Sequence, residues 1–324
     1  MSKGLTDIAG IRVGHVSDFH GLTGCTVILC ERGAVAGVDV RGSASGSQEF
    51  EVLNPLHVTP QVHAVTFAGG SAYGLEAASG VRRYLEKKKV GFPAGAAVVP
   101  LVPCAILYDL AIGSASARPT REMGEAAAAA AHEGAVEEGC IGAGTGATVG
   151  KVLGMRHAMK SGVGSATVWL DGDLAGVRVA ALAVVNAWGD VRDPENGQLV
   201  AGARRSPDSE DLIDACAVLK RGGGSGFAST ANTTLVAVAT NAKLTKVQAT
   251  KLAQFGSLGL ARTIQPVWSL SDGDTVIALS LGDASAPLDS LGVAAAEAVS
   301  RAILRAVRTA TSMGGVPGLA GRHK

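Results

Sequence analysis

Ala231-Asn232-Thr233-Thr234-Leu235-Val236-Ala237-Val238 is the stretch where this chain changes character. Just before it, Arg221–Asn232 reads Arg-Gly-Gly-Gly-Ser-Gly-Phe-Ala-Ser-Thr-Ala-Asn, a small, polar composition that by itself describes an ordinary interdomain linker. Just after it, Thr234–Ala239 is apolar on both faces, as expected of a strand covered on both sides. Thr233 stands at the junction. An internal threonine hydroxyl has no good base beside it. A chain-terminal one has its own α-amine, whose pKa is about 7.7–8.0, so that one residue supplies nucleophile and base together. Exposing such a terminus inside a long chain requires a cut before Thr233, by attack of its hydroxyl on the Asn232 carbonyl and hydrolysis of the resulting ester. Strand-initiating threonines are common, so the pattern alone is a weak signal.

Working outward, further strand-like runs rich in Val, Ile, Leu and Thr occur at Thr26–Leu29, Val35–Val40, Val62–Phe67, Ala97–Val102, Ala166–Leu170, Val177–Val185 and Thr275–Ser280. Helices are expected at Tyr73–Lys89, with a Lys-rich last turn, at Glu122–Glu133, and around Asp208–Leu219. Another is capped by Thr245 and Gln248 and stops at Gly256. The last, from about Leu291 to Thr309, puts Val299, Ile303 and Val307 on one face and Arg301, Arg305 and Arg308 on another. Such an alternation implies layered sheets with helices outside.

Composition narrows the function. The 324 residues are 47% apolar, enough for one large core. Lys+Arg (29) and Asp+Glu (28) nearly cancel, aromatics make up 4%, and there is no basic tract, which argues against nucleic acid or an anionic membrane as partner. No run reaches the roughly 18 apolar residues of a membrane span, and the N-terminus lacks a signal-peptide stretch, so the expectation is a soluble cytoplasmic protein. Cys25, Cys30, Cys104, Cys140 and Cys216 are odd in number and have no C-x-x-C spacing, which fits reduced, mostly buried thiols. The seven histidines form no H-x-x-x-H pair, and no metal site is expected.

Several nucleotide and hydrolase motifs fail on inspection. Gly142-Ala-Gly-Thr-Gly-Ala-Thr-Val-Gly-Lys151 looks like a phosphate loop, but Thr145 replaces the first Walker glycine and Val152 the Ser/Thr after the lysine. G-x-G-x-x-G fails at Ala147 and Val149, and no G-x-S-x-G elbow surrounds Ser71 or Ser225.

A set of short motifs, taken in order, carries more. They are Gly4-Leu-Thr-Asp-Ile-Ala-Gly-Ile-Arg-Val-Gly-His-Val, Ala36-Gly-Val-Asp-Val-Arg-Gly, Ala68-Gly-Gly-Ser-Ala-Tyr-Gly-Leu, Gly144-Thr-Gly-Ala-Thr-Val-Gly-Lys, Val184-Val-Asn-Ala, Asn232-Thr-Thr and Asp272-Gly-Asp. From about Leu5 to about Thr311 the chain resembles the self-processing L-aminopeptidase/D-amidase/D-esterase family, which includes β-peptidyl aminopeptidases and the nylon oligomer hydrolase. The Asn-Thr pair is most similar to the nylon oligomer (6-aminohexanoate oligomer) hydrolase type.

The resemblance implies a role for each matching residue. Asn232 and Thr233 match the autocleavage pair, with Thr233 the nucleophile. Lys151 matches an active-site lysine whose charge lowers the pKa of the terminal amine and stabilises negative charge on substrate oxygen. Asn186, whose plain role is capping a strand end, holds the substrate carbonyl or oxyanion through its amide, and Tyr73 donates a phenol hydroxyl to the same site. Asp272 and Asp274, which in isolation read as a hairpin turn, orient the Thr233 amine or anchor a substrate ammonium group. Ser-type members often carry Ser and Glu there, so this pair departs from part of the family in a way that bears on substrate preference.

The implied fold is α+β, a four-layer αββα sandwich like the N-terminal-nucleophile hydrolases but of distinct connectivity. It is a single catalytic domain cut into an α subunit (1–232) and a β subunit (233–324), assembled as a homotetramer. The implied substrate is a short peptide or amide oligomer, with no cofactor. Two other readings stay open: an acyltransferase resembling ornithine acetyltransferase, which would pass the acyl group to an amine, and an uncleaved binding protein of the same fold.

Overall fold

The apolar alternation after Thr233 is resolved by two different cores, one on each face of the strand. The computed structural model describes residues 2–224 and 232–321. Its principal strands are β1 (Arg12–Asp18), β2 (Thr23–Val40), β3 (Gly46–Gln48), β4 (Val62–Ala68), β5 (Cys104–Ile106), β6 (Val163–Trp169), β7 (Arg178–Asn186), β8 (Thr233–Ala242) and β9 (Thr275–Ala284). The helices are α1 (Ala77–Lys87), α2 (Arg121–Ala130), α3 (Ala215–Lys220), α4 (Lys246–Thr263) and α5 (Leu288–Arg308).

Hydrogen bonding links the strands in the order β6-β7-β8-β9-β2-β4-β5-β3, with β1 also on β2. Strand β2 is the hinge of this arrangement. Its first part, Thr23–Leu29, pairs with β1 and β4, and its last part, Val35–Val40, pairs with β9. One strand therefore belongs to two sheets that lie face to face. Pairs β7–β8 and β9–β2 are antiparallel, while β8 and β9 are parallel and joined through α4.

Period-two alternation distributes the apolar side chains among three layers of core. Leu235, Ala237 and Ala239 of β8, with Ala180, Leu182 and Val184 of β7, meet Ile28, Val65 and Phe67 of the other sheet. Val236 and Val238, with Ala181 and Ala183, turn the other way onto α4 and α5. Val27, Leu29 and Ala64 turn outward onto α1 and α2. Helix, sheet, sheet and helix are thus stacked, and the αββα expectation is met.

Local details differ from the sequence reading. The two runs in 26–40 are one 18-residue strand. In the segment 97–102 only Val98–Val99 is strand. The helix expected around 208–219 begins at Ala215, where the Asp214 side chain accepts from the Ala217 N–H. Of the Arg221–Asn232 segment, residues 225–231 lie outside the described residues. The Thr245/Gln248 capping box is present, but its helix runs through Gly256 to Thr263. Gly256 is a packing position: a Cβ there would sit 3.0 Å from Val276 and 3.1 Å from Val238. Glycine ends many helices, hence the stop that the sequence suggests; here it lets α4 lie closely on β8 and β9.

The α1–α2 contact uses glycine in the same way, more severely. A Cβ on Gly80 would lie 1.8 Å from the Arg121 carbonyl oxygen, and one on Gly124 would lie 1.9 Å from that of Ala77. Gly80→Ala and Gly124→Ala should therefore each lose roughly 1–3 kcal/mol of stability in urea unfolding. On helix propensity alone, Gly→Ala would gain up to about 1 kcal/mol, so the sign of the change tests the packing argument.

Candidate active site

Antiparallel register places Asn186, the last residue of β7, directly opposite Thr233, the first of β8. The Asn186 side chain is buried and held at both ends. Its Oδ1 accepts from Lys151 Nζ at 2.7 Å and from the Thr148 N–H at 3.1 Å, and its Nδ2 donates to the Tyr108 carbonyl at 2.9 Å. The Thr148 hydroxyl is a third donor to Oδ1, at 3.5 Å, and donors on one atom with an acceptor facing the other fix which way the amide points.

Lys151 lies at the end of the glycine-rich segment that fails as a phosphate loop. It is 3% exposed, far from the solvated loop lysine that its sequence context suggests, and Nζ also donates to the Asn186 carbonyl at 2.9 Å. Burial pushes its amine down to about 7. Asp272, Asp109 and Asp274 oppose that shift and Lys160 adds to it.

On the other side of Thr233, Asp272-Gly273-Asp274 is the approach to β9 rather than a hairpin, and it pairs with Asn232 in a parallel bridge. Asn232 N–H donates to Ser271 O at 2.8 Å, and Gly273 N–H donates to the Asn232 carbonyl oxygen at 2.6 Å. Thr233 Oγ1 donates to that same carbonyl oxygen at 2.5 Å. Glycine is required between the two acids: a Cβ at 273 would stand 2.7 Å from Thr233 Oγ1.

Asp272 accepts from the Ser269 hydroxyl at 2.6 Å and the Ser269 N–H at 3.0 Å, and Asp274 accepts from the Thr234 N–H at 2.6 Å. Burial raises the pKa of Asp272. Burial first, and then the neighbouring Asp272, push Asp274 up to about 8.

Asn232, Thr233, Asn186, Lys151, Asp272 and Asp274 therefore form one buried cluster assembled from four separate parts of the chain. Tyr73 lies apart. It is 58% exposed on the turn Ser71–Glu76, its ring lies under the Arg118 guanidinium, 3.5 Å from the centroid, and among the described residues no hydrogen bond joins it to Asn186, Lys151 or Thr233. Tyr108, which sequence reasoning missed, is the tyrosine beside the cluster. Its carbonyl holds Asn186, and with Asp109, Thr148 and Met155 it lines a narrow cavity ending at Lys151. Asp109 is itself buried, accepting from the Thr23 hydroxyl and the Gly70 N–H, each at 2.7 Å. The only sequence signal for these two was a polar Tyr-Asp pair ending the apolar run after Cys104.

A hydroxyl against a carbonyl whose oxygen already takes a backbone N–H, with a buried amine and two carboxyls alongside, is equipment for acyl transfer. Among the described residues, no group of three or more His, Cys, Asp or Glu side chains is arranged to hold a metal ion, and no helix is long and apolar enough to cross a membrane.

The fold is Ntn-hydrolase-like. It superposes with a TM-score of 0.74 on the L-aminopeptidase D-Ala-esterase/amidase of Ochrobactrum anthropi, described as a variant of the Ntn hydrolase fold, over 97% of this chain and 88% of that one. At 19% identity the likeness is one of fold. Residues 3–320 match Peptidase family S58. The chain is 38% identical to an uncharacterized aminopeptidase of Mycobacterium leprae, over 97% of its own length and 92% of the relative's. It is 32% identical to the 6-aminohexanoate-oligomer endohydrolase of Kocuria sp., over 93% and 85%. The chain belongs to Peptidase family S58 and is a hydrolase.

The carboxyl pair makes a stability signature. The folded chain keeps a proton on Asp274 that the unfolded chain, with an ordinary carboxyl of pKa 3.8, has already released. Stability from this group is complete below that value and is lost as pH rises through about 8. Asp274→Asn removes the ionisation while keeping an acceptor for the Thr234 N–H. The melting temperature of the variant minus that of the wild type should therefore increase by several degrees from pH 5 to pH 9; a flat or falling difference would contradict the assignment.

Proposed function

We propose that the chain cuts itself between Asn232 and Thr233, and that the freed Thr233 is the nucleophile of an amide hydrolase. One observation carries this reading: the Asn232 carbonyl oxygen lies 2.5 Å from Thr233 Oγ1 and 2.6 Å from the Gly273 nitrogen. In the uncut chain the hydroxyl attacks the Asn232 carbonyl carbon, and the developing oxyanion stays on the Gly273 N–H. The bond from that carbon to the Thr233 nitrogen breaks, and the nitrogen takes up the hydroxyl proton. Water then hydrolyses the Asn232–Thr233 ester to a carboxylate and a free hydroxyl.

Residues 1–232 and 233–324 become α and β subunits of one folded domain. Thr233 now bears an α-amine that accepts the proton of its own hydroxyl during attack on a substrate carbonyl. Asn186, across the strand pair, holds that carbonyl. Lys151 in its charged form lowers the pKa of the amine, and Asp272 and Asp274 hold the amine in place. Water releases the acyl group, and no cofactor takes part.

The substrates are short peptides and ω-amino-acid oligomers. This is supported by the names of the two relatives, an aminopeptidase and a 6-aminohexanoate-oligomer endohydrolase, and by the aspartate pair where a substrate ammonium group could also be met. Processed units assemble as a homotetramer.

Intact mass spectrometry of freshly purified protein should show two chains of about 23 and 9 kDa, taking roughly 100 Da per residue, the smaller beginning at Thr233. Thr233→Ala should stay full length and lack amidase activity. Thr233→Ser should still be cut. A wild-type chain that stays intact through prolonged incubation, or a small chain with another N-terminus, sinks the proposal. Aminoacyl-p-nitroanilides, β-peptides and 6-aminohexanoate oligomers then rank the substrates.

A further inference from the structure

Lys160 is a second buried lysine near the site, and the chemistry above gives it no part. It is fully buried. Its amine donates to the carbonyl oxygens of Ala147 at 2.7 Å, Ser161 at 3.0 Å and Gly144 at 3.4 Å. Burial pushes that amine down to about 8, so it remains largely charged at neutral pH. Cys140 and Asp109 act on its charge, and it in turn helps to push the Lys151 amine down. Leaving a cation in such a place costs stability unless several acceptors surround it. Three carbonyls do so here, and all three belong to the backbone that carries the active-site lysine or to the strand end paired with it.

The Ala147–Thr148 peptide connects the two sites. Its carbonyl accepts from Lys160 Nζ and, at 3.0 Å, from the Ser161 N–H. Its N–H donates to Asn186 Oδ1. The short strands Thr148–Val149 and Met159–Lys160 pair with Thr148 opposite Lys160, which fixes the distance between the amine and this peptide. A cation on the carbonyl of a peptide polarises the unit and strengthens its N–H as a donor. That N–H is one of the donors on Asn186 Oδ1, with Lys151 Nζ at 2.7 Å and the Thr148 hydroxyl at 3.5 Å, while Nδ2 donates to the Tyr108 carbonyl.

We propose that Lys160 is a positioning residue for the reaction: by clamping the Ala147–Thr148 peptide it orients the Asn186 amide opposite Thr233. It touches neither substrate nor reacting atoms and acts through Asn186. The inference rests on the self-cleavage reading and extends it: Asn186, opposite Thr233 in the strand pair, steadies that residue for the first attack as well as a later substrate carbonyl.

The test follows the rate of chain cleavage by intact mass in four forms of the full-length protein: wild type, Lys160→Met, Asn186→Ala and the double variant. Circular dichroism and thermal melting verify folding. Lys160→Met should slow cleavage at least about tenfold, in the range lost when supporting partners of a site are removed. In the Asn186→Ala background the same substitution should change the rate by less than about twofold, because its target is gone. A merely structural lysine would slow both backgrounds alike, and that result overturns the inference. So does cleavage of Lys160→Met at the wild-type rate. If Lys160→Met does not fold, Lys160→Gln, which keeps a donor for the Ala147 carbonyl, is judged by the same two comparisons. A wild-type chain that fails to cleave refutes the self-cleavage reading itself, an outcome distinct from either failure of the Lys160 inference.

Discussion

The antiparallel pairing of β7 with β8 is the constraint on which the remaining geometry depends. It sets Asn186 against Thr233, and it is enforced by burial on both faces of both strands. In a sheet with one wet face, a slip of one residue is opposed because apolar side chains would turn to solvent. Here both faces are apolar, so size must do the work. The side chains of Ala180, Ala181, Ala183, Ala237 and Ala239 are small where the layers come close, while Leu182 and Leu235 fill the gap between sheets. A shifted register would exchange these volumes between two cores packed at crystal-like density. Asn186 and Thr233 are therefore placed by the core, and the loops only have to supply their neighbours.

What those loops supply is charge, and most of it is buried. Lys151, Lys160, Asp109, Asp272 and Asp274 are each nearly or wholly removed from solvent. A buried ion pair is weak evidence for stability, and here each group is displaced toward its neutral form: both amines downward, the three carboxyls upward. Lys151, Lys160 and Asp274, displaced to about 7, 8 and 8, can exchange protons at little cost near neutral pH, which suits the proposed self-cleavage. Hydrogen bonds from Ser269, Thr234, Thr23 and Gly70 favour the ionised carboxylates and hold the displacement in check.

Much of this was legible in the sequence, for identifiable reasons. The strands that matter are long apolar runs, and those runs exist because both faces are covered; the helix at the C-terminal end shows its Arg and Val faces openly. Lys151, Asp272 and Asp274 stand out only because several motifs occur in order, since a lysine or two aspartates beside glycine read in isolation as an exposed loop and a turn. The breaks in this legibility have physical causes as well. Gly256 reads as a helix stop because glycine has two uses, ending elements and allowing close approach, and only the partner element decides between them. Tyr108 escaped notice because its part is played by a backbone carbonyl, which carries no residue signature. Tyr73 is expected in the site through the family resemblance alone, and its ring is engaged by Arg118 at the surface.

Gly273 shows how far the site depends on backbone. Its N–H is the donor on the Asn232 carbonyl oxygen, and its missing side chain leaves room for the Thr233 hydroxyl. Any side chain at 273 would have to displace the hydroxyl, Ala44 O at 2.9 Å or the Ser45 Cα at 3.0 Å. The two acids on either side of it are tied down separately, Asp272 to Ser269 and Asp274 to the backbone of β8. The Asp-Gly-Asp segment thus performs two tasks that compete for the same space, presenting carboxyls and presenting a backbone N–H. Only glycine between two anchored aspartates satisfies both. The same economy explains why a lysine is recruited at the far end of the site: where orientation is carried by peptide groups, a buried cation on a carbonyl is a direct way for a side chain to control them.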